Sequence, residues 1–470
     1  MNRRHLLAAL GALPLVGAID AYADDMAILR AALALHPGLH RYATPAQIAA
    51  GLDRVAAAWP GASLETRYLA LSRFLATLRC GHSYCNFFNQ RRAVAARLFD
   101  RPTRLPFHFR WIEGAMVITA AGESTLPAGT VIERIDDRPS AELLARLMPY
   151  ARADGHNDGK RRALLAVQGE DDIEFFDVFQ GLVAPPAGGA HRIEARLPDG
   201  RRIKRALPAI GLAARRAMMV KPPDTSDGER WQWAMRGDVA LLTMPGWGLY
   251  NSKWDWAGWL EERLDSLGGA RALVIDLRAN EGGLDCGNAI LARLIDRPLA
   301  PPGFAQKLRF ARTPAALDRY LDTWDESFRT LGVGGAALPG GFIARPGGDA
   351  EVTIRPAIKR LTLPVAALIS PTNSSATFQF ALIARASGTI RLFGETTGGN
   401  QRGINGGAFF FVRLPESGIE FDLPLIGYFA PPGMPDAGIT PDVPIAASAA
   451  DIAAGRDPAL DAALAWARRA

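Results

Sequence analysis

Three short stretches carry residue types suited to acyl chemistry. Val274-Ile-Asp-Leu-Arg-Ala-Asn-Glu-Gly-Gly283 leads from an apolar run through a charged turn into paired glycines. Glycines there leave backbone N–H groups unshielded at the mouth of an α/β sheet, where they suit an oxyanion. Pro371-Thr-Asn-Ser-Ser-Ala376 separates a strand-like run, Val365–Ser370, from the helix-like Thr377–Ala386. A serine at such a turn stands at a helix N-terminus, where the dipole and free N–H groups favour developing negative charge. Ser374 and Ser375 are the candidate hydroxyls there, although Asn373, Ser374 and Ser375 are also good helix N-caps. The third stretch, Leu78-Arg-Cys-Gly-His-Ser83, sets His82 just past a helix end. An imidazole of ordinary pKa, roughly 6.5, is a suitable general base near neutrality. Its competing role there is to partner the helix C-terminal dipole.

The surrounding pattern predicts how these stretches are held. Leu64, Tyr68, Leu71, Phe74, Leu75 and Leu78 share one helical face, with Ser63 as N-cap and Gly81 as the stop. Between about Leu105 and Ile210 the texture turns to short strands. A strand and hairpin over Ala128–Pro139 leads into a helix at Ala141–Met148, and Ile193–Leu197 pairs with Arg202–Leu207 across Pro198-Asp199-Gly200. This part resembles a PDZ-like module, though without a clear carboxylate-binding glycine loop. The Pro-rich, charged stretch Lys221–Asp227 is the expected domain boundary. Beyond it Val239–Met244, Ala272–Leu277, Val365–Ile369 and Thr389–Phe393 read as buried strands alternating with helices, an α/β layer. Gly332–Asp349 is expected as a surface loop or lid, and Pro458–Arg468 as a short amphipathic helix. The resulting division is 1–23, 24–95 (helical), 96–220 (PDZ-like) and 228–470 (α/β core), in keeping with 470 residues.

Val274–Gly283, Thr372–Phe378, Gly394-Glu-Thr-Thr-Gly-Gly-Asn400 and Gly438-Ile-Thr-Pro-Asp442 follow one another as in the tail-specific (C-terminal processing) serine proteases. The chain resembles that family well over Val239–Ile445 and loosely before it. The resemblance implies a crotonase-like α/β core and a peptidase whose nucleophile is Ser375, with Ser374 as the fallback. Many relatives use a lysine in a Thr-Phe-Gly-Lys element, but Asn400 stands at that position and no lysine follows Lys359. Arg402 cannot replace it, because a guanidinium stays protonated. The chain therefore resembles more closely the tricorn-core-like branch, which takes a histidine from far upstream, here His82. Relatives of that branch place an acid just before the Gly-x-x-Pro-Asp element. Asp436 is the nearest, one residue off the common register, and the third member of the expected triad. Gly282 or Gly283, together with Ala376, are the expected oxyanion donors, and Glu395 and Asp442 are expected to brace turns. No metal or organic cofactor is implied.

The basic start Met-Asn-Arg-Arg, the apolar run Leu6–Ile19 and Ala21-Tyr-Ala23 form a signal-peptide pattern over residues 1–23. It points to a periplasmic or secreted protein, exported by the Sec or the twin-arginine route, with no stable membrane anchor. The net charge of +6 falls to +5 without that segment's two arginines and one aspartate. Basic residues are dispersed, so no nucleic-acid partner is implied. Of the three cysteines, Cys80 and Cys85 could pair, leaving Cys286, or all three are small buried residues. The expected partner is a polypeptide substrate, with homo-oligomerisation left open. The expected function is an exported serine endopeptidase. Its alternatives are a non-catalytic peptide- or lipid-binding protein on the same scaffold and an esterase.

Overall fold

The computed structural model describes residues 24–220, 228–300, 303–348 and 353–470. The signal pattern at 1–23 and the boundary at Lys221–Asp227 lie outside the described residues, as does Asp349 at the end of the expected lid.

The buried runs of the second half form the sheet on which the site depends. Val443–Pro444, Arg391–Gly394, Val365–Ile369, Ala272–Asp276 and Val239–Thr243 lie side by side and parallel, with Gln232–Arg236 antiparallel at the edge. Their side chains alternate between two cores. Ala240, Leu242, Leu273, Ile275, Ala367 and Ile369 pack towards the helices Trp256–Asp265, Gly287–Leu294 and Ser375–Ser387. Val239, Leu241, Val274, Ala366 and Leu368 pack towards the helix Pro458–Ala467. A sheet covered on both faces explains why these strands read as unbroken apolar runs.

Arg278 ties the two halves of that layer. Its guanidinium bonds Asp276 at 2.6 Å and Asp457, the N-cap of the last helix, at 2.7 Å. The charged residues of the Asp-Leu-Arg element are thus structural, and they fix where the strand Ala272–Asp276 ends.

The expected helix appears as Leu64–Thr77, capped by the Ser63 side chain on the Thr66 N–H. Its stop differs from the expectation. The left-handed residue is Arg79, with φ 54°, not Gly81. The Gly81 N–H is instead taken by the Asp154 side chain at 2.9 Å.

The β-rich module is an antiparallel sheet ordered His108–Ile112, Ala115–Ala120, Val131–Ile135, Ala190–Arg196, Arg202–Pro208, with Arg138–Pro139 on the third strand. A further antiparallel sheet joins Leu321–Asp322, Asn405–Arg413, Glu420–Phe429, Ala305–Leu308, Phe342–Ala344 and Ala337–Leu338. Part of the expected loop at Gly332–Asp349 is therefore a short hairpin on this sheet. The inner face of this sheet, including Phe410, Val412, Phe421 and Leu423, shares one core with the N-terminal helices and the β-rich module. That shared core brings the front of the chain to the end of the parallel sheet where the serine turn lies.

Cys80, Cys85 and Cys286 are buried free thiols, so Cys80 and Cys85 do not pair. Among the described residues no helix is long and apolar enough to cross a membrane.

Candidate active site

The strands Ala272–Asp276 and Val365–Ile369 are hydrogen-bonded neighbours, so the turns after their carboxyl ends meet. Buried asparagines stitch them together. Asn373 Nδ2 donates to the carbonyls of Leu277 (2.6 Å) and Asn280 (2.9 Å), and its Oδ1 accepts the Ser370 N–H at 2.7 Å. Asn280 Oδ1 accepts from Thr377 Oγ1 at 2.8 Å and from the Gly282 N–H at 2.9 Å. Asn373 is thus a tie between turns rather than a helix cap.

Ser375 begins the helix Ser375–Ser387 with φ at 50°, a left-handed conformation that a non-glycine residue adopts only under constraint. It is half-buried, whereas Ser374 is buried and its Oγ donates to the Glu281 carbonyl at 3.1 Å. Of the two serines, Ser375 is the one whose hydroxyl makes no hydrogen bond among the described residues.

Gly282 and Gly283 hold φ values of 124° and 134°. A Cβ on Gly282 would stand 2.8 Å from Ser375 Cβ and 3.2 Å from the Ala376 nitrogen; one on Gly283 would meet the Trp247 carbonyl. Both positions require glycine. The Gly282 N–H is spent on Asn280, which removes it from the expected oxyanion donors. The N–H groups of Gly283 and Ala376 make no backbone hydrogen bond among the described residues. Gly282 contributes room instead of a donor. We expect Gly282→Ala to lower kcat/KM by about 100-fold or more, the scale of a lost oxyanion contact. Steady-state kinetics beside a circular-dichroism check of folding measures this.

His82 is half-buried, with its ring 5.7 Å from that of Phe409 and its Nδ1 buried without a hydrogen-bond partner. Burial lowers its pKa below the ordinary imidazole value, against the opposing pull of Asp154. A cluster that the sequence did not disclose links it to the serine turn. Lys160 Nζ donates to Glu281 Oε1 and to the Thr372 carbonyl, both at 2.7 Å. Arg152 bonds Glu281 at 3.0 Å and also the Gly81 carbonyl. Burial opposes ionisation of Glu281, but the Arg152 and Lys160 charges overcome it and hold its pKa well below the usual carboxylate value. A lysine therefore does reach the serine turn, from upstream rather than from the position of Asn400. Ser375 Oγ and His82 share no direct hydrogen bond among the described residues.

Asp436 does not orient His82. Its carboxylate accepts from His156 Nδ1 at 2.6 Å, from the His156 N–H at 3.2 Å and from Asn400 Nδ2 at 2.6 Å, with Arg402 at 3.5 Å. Burial works against its ionisation, but the His156 and Asn400 bonds lower its pKa overall. The partner of Asp436 is thus a histidine that no motif had singled out. Asn400, where relatives place lysine, donates to Asp436 and to the Asp154 carbonyl (3.3 Å). Glu395 and Asp442 brace turns, as expected: Glu395 bonds Arg110 at 2.9 Å, and Asp442 takes the Leu392 N–H at 2.8 Å and the Arg385 guanidinium.

The model of Peptidase family S41 matches residues 238–445. No curated protein matches the sequence. Among solved structures, mature CPAF complexed with lactacystin is 17% identical with a TM-score of 0.59, over 95% of this chain and 96% of that one. A second structure of mature CPAF is 17% identical with a TM-score of 0.58, over 91% and 93% of the two chains. At that identity the likeness concerns the fold, which extends over nearly the whole length of both. The family match spans the parallel sheet and both glycine and serine turns, so residues 238–445 are similar to the domain of Peptidase family S41, and the chain is a serine peptidase.

Proposed function

We propose that this protein is an exported serine endopeptidase of the tail-specific type, working through Ser375 and His82. The observation that carries the reading is the left-handed Ser375, uncommitted at a helix start, with Gly282 leaving space beside it. Ser375 Oγ attacks the scissile carbonyl as His82 Nε2 takes its proton. The N–H groups of Gly283 and Ala376 hold the oxyanion in a site where such donors are preorganised. His82 then protonates the leaving amine, and water releases the acyl group by the same steps. Lys160 is not the base in this reading, since its Nζ is engaged by Glu281 and the Thr372 carbonyl. Export rests on the residue pattern at 1–23, and the module at 96–220 is read as the PDZ-like part that meets polypeptide ends.

One observation favours the non-catalytic alternative: the absence of a direct Ser375–His82 bond. Labelling the purified mature protein with a fluorophosphonate, followed by casein digestion, separates the readings. Labelling with casein cleavage is the expected result. An unlabelled protein is a binding protein, and a labelled one that cleaves only small esters is an esterase.

A further inference from the structure

With Asp436 committed to His156, the candidate base has no assigned partner, although its chemistry demands one. An imidazole that accepts the serine proton at Nε2 must carry its own proton on Nδ1. In His82 that nitrogen is buried and, among the described residues, unpartnered, a costly state for a donor.

A complementary atom lies against the preceding residue, Gly81. Asp154 Oδ1 accepts the Gly81 N–H at 2.9 Å, while its Oδ2 is buried with no hydrogen-bond partner among the described residues. Oδ2 lies so close over Gly81 that a Cβ there would be 2.7 Å from it, and His82 is the next residue. The chain around Asp154 is fastened on both sides. The Gly155 N–H bonds the Arg79 carbonyl at 3.0 Å, and the Asp154 carbonyl accepts from Asn400. Asp436 in turn grips the His156 N–H and Asn400, so it braces the segment that presents Asp154.

We propose that Asp154 is the positioning residue for His82, accepting the imidazole Nδ1–H through Oδ2 while Oδ1 holds the Gly81 N–H. The proposal rests on the serine-peptidase reading with His82 as base. Rotation of the ring closes the bond, aims Nε2 outward and fixes the tautomer. When the proton of Ser375 moves to Nε2, the Nδ1 proton stays in place and the Asp154 carboxylate faces the resulting imidazolium. The other charged groups that act on the ring are Arg152, Glu281 and Lys160, and Asp154 acts more strongly than any of them. Glu281 is the rival acid, but its carboxylate is already shared between Lys160 and Arg152.

Asp154→Asn tests this in the full mature chain, because an asparagine oxygen still accepts the Gly81 N–H. Loss of the negative charge makes the imidazolium harder to form, which lowers the His82 pKa. We expect kcat to fall at least tenfold with KM little changed, and the acid limb of kcat/KM to move to lower pH. Asp436→Asn, which removes only the brace, should leave the position of that limb unchanged. Parental kcat in Asp154→Asn, or a fall with an unmoved acid limb, would overturn the proposal. Nitrogen NMR of the parent supplies a readout that needs no variant: the neutral His82 ring should carry its proton on Nδ1, and the Nε2–H tautomer would sink the assignment. Fluorophosphonate labelling of the parent is independent of all these outcomes, so failure of Asp154 is distinguishable from failure of the peptidase reading.

Discussion

Ser375→Ala is expected to lose fluorophosphonate labelling entirely and to cut kcat for casein by on the order of 10⁴-fold or more, the scale seen when a nucleophile acting with its base is removed. The fold should persist, because Ser375 Oγ makes no bond on which the turn depends; the turn is held by Asn373 and Asn280. Alanine also relieves none of the left-handed backbone strain, so melting should change little. Ser374→Ala is the contrast. It deletes one hydrogen bond to the Glu281 carbonyl, worth about 1 kcal/mol, and should keep activity within about tenfold. Mass spectrometry of the labelled parent decides between the two. A modification found on Ser374 would reject the assignment.

The second large effect is expected at His82. Without the base, kcat/KM at neutral pH should fall by on the order of 10⁴-fold in His82→Ala. The pH profile adds a signature with a definite sign. Burial depresses the imidazole pKa, so the ring remains neutral, and competent as a base, at pH values below its ordinary 6.5. Parental kcat/KM should hold its plateau below that pH and decline only as the ring finally protonates, and His82→Ala should lack this limb. His156→Ala is the informative control, since His156 already has the Asp436 carboxylate that a catalytic histidine would want. Its ring is bonded to Asp436 at the surface, outside the Glu281–Lys160–Arg152 cluster that joins His82 to the serine turn, and we expect less than a tenfold loss. Should His156→Ala abolish turnover while His82→Ala spares it, the base has been misassigned and the nucleophile has not.

Much of the fold was legible because its signals are local or periodic. The cap of Leu64–Thr77 is one side chain bonding a backbone group three residues on, and the parallel strands announce themselves as apolar runs buried on both faces. The hairpin of Ala190–Arg196 with Arg202–Pro208 follows from Pro198-Asp199-Gly200 between alternating strands. The antiparallel sheet built from Ala305–Leu308, Phe342–Ala344, Asn405–Arg413 and Glu420–Phe429 was not anticipated. Its strands pair across as many as 124 residues, from Ala305 to Phe429, and its short members look like loop when read alone. The alternation in Asn405–Arg413 was the available signal.

For the site, residue types drew attention to the serine turn and the glycine pair, while the choice of Ser375 and His82 as candidates came from the resemblance to the tail-specific proteases. The placement of Ser375 and Gly282 on facing turns follows from the pairing of two parallel strands, which periodicity foreshadows. Partner choice among charged and polar groups was decided only in three dimensions. Asp436, the acid nearest the expected register, bonds His156 instead, and Lys160, far from any motif, reaches the serine turn. Asp154, with nothing in its neighbourhood to mark it, lies against Gly81. A carboxylate takes whichever donor the folded chain carries within about 3 Å, and that distance depends on packing between segments hundreds of residues apart rather than on the order of residues along them.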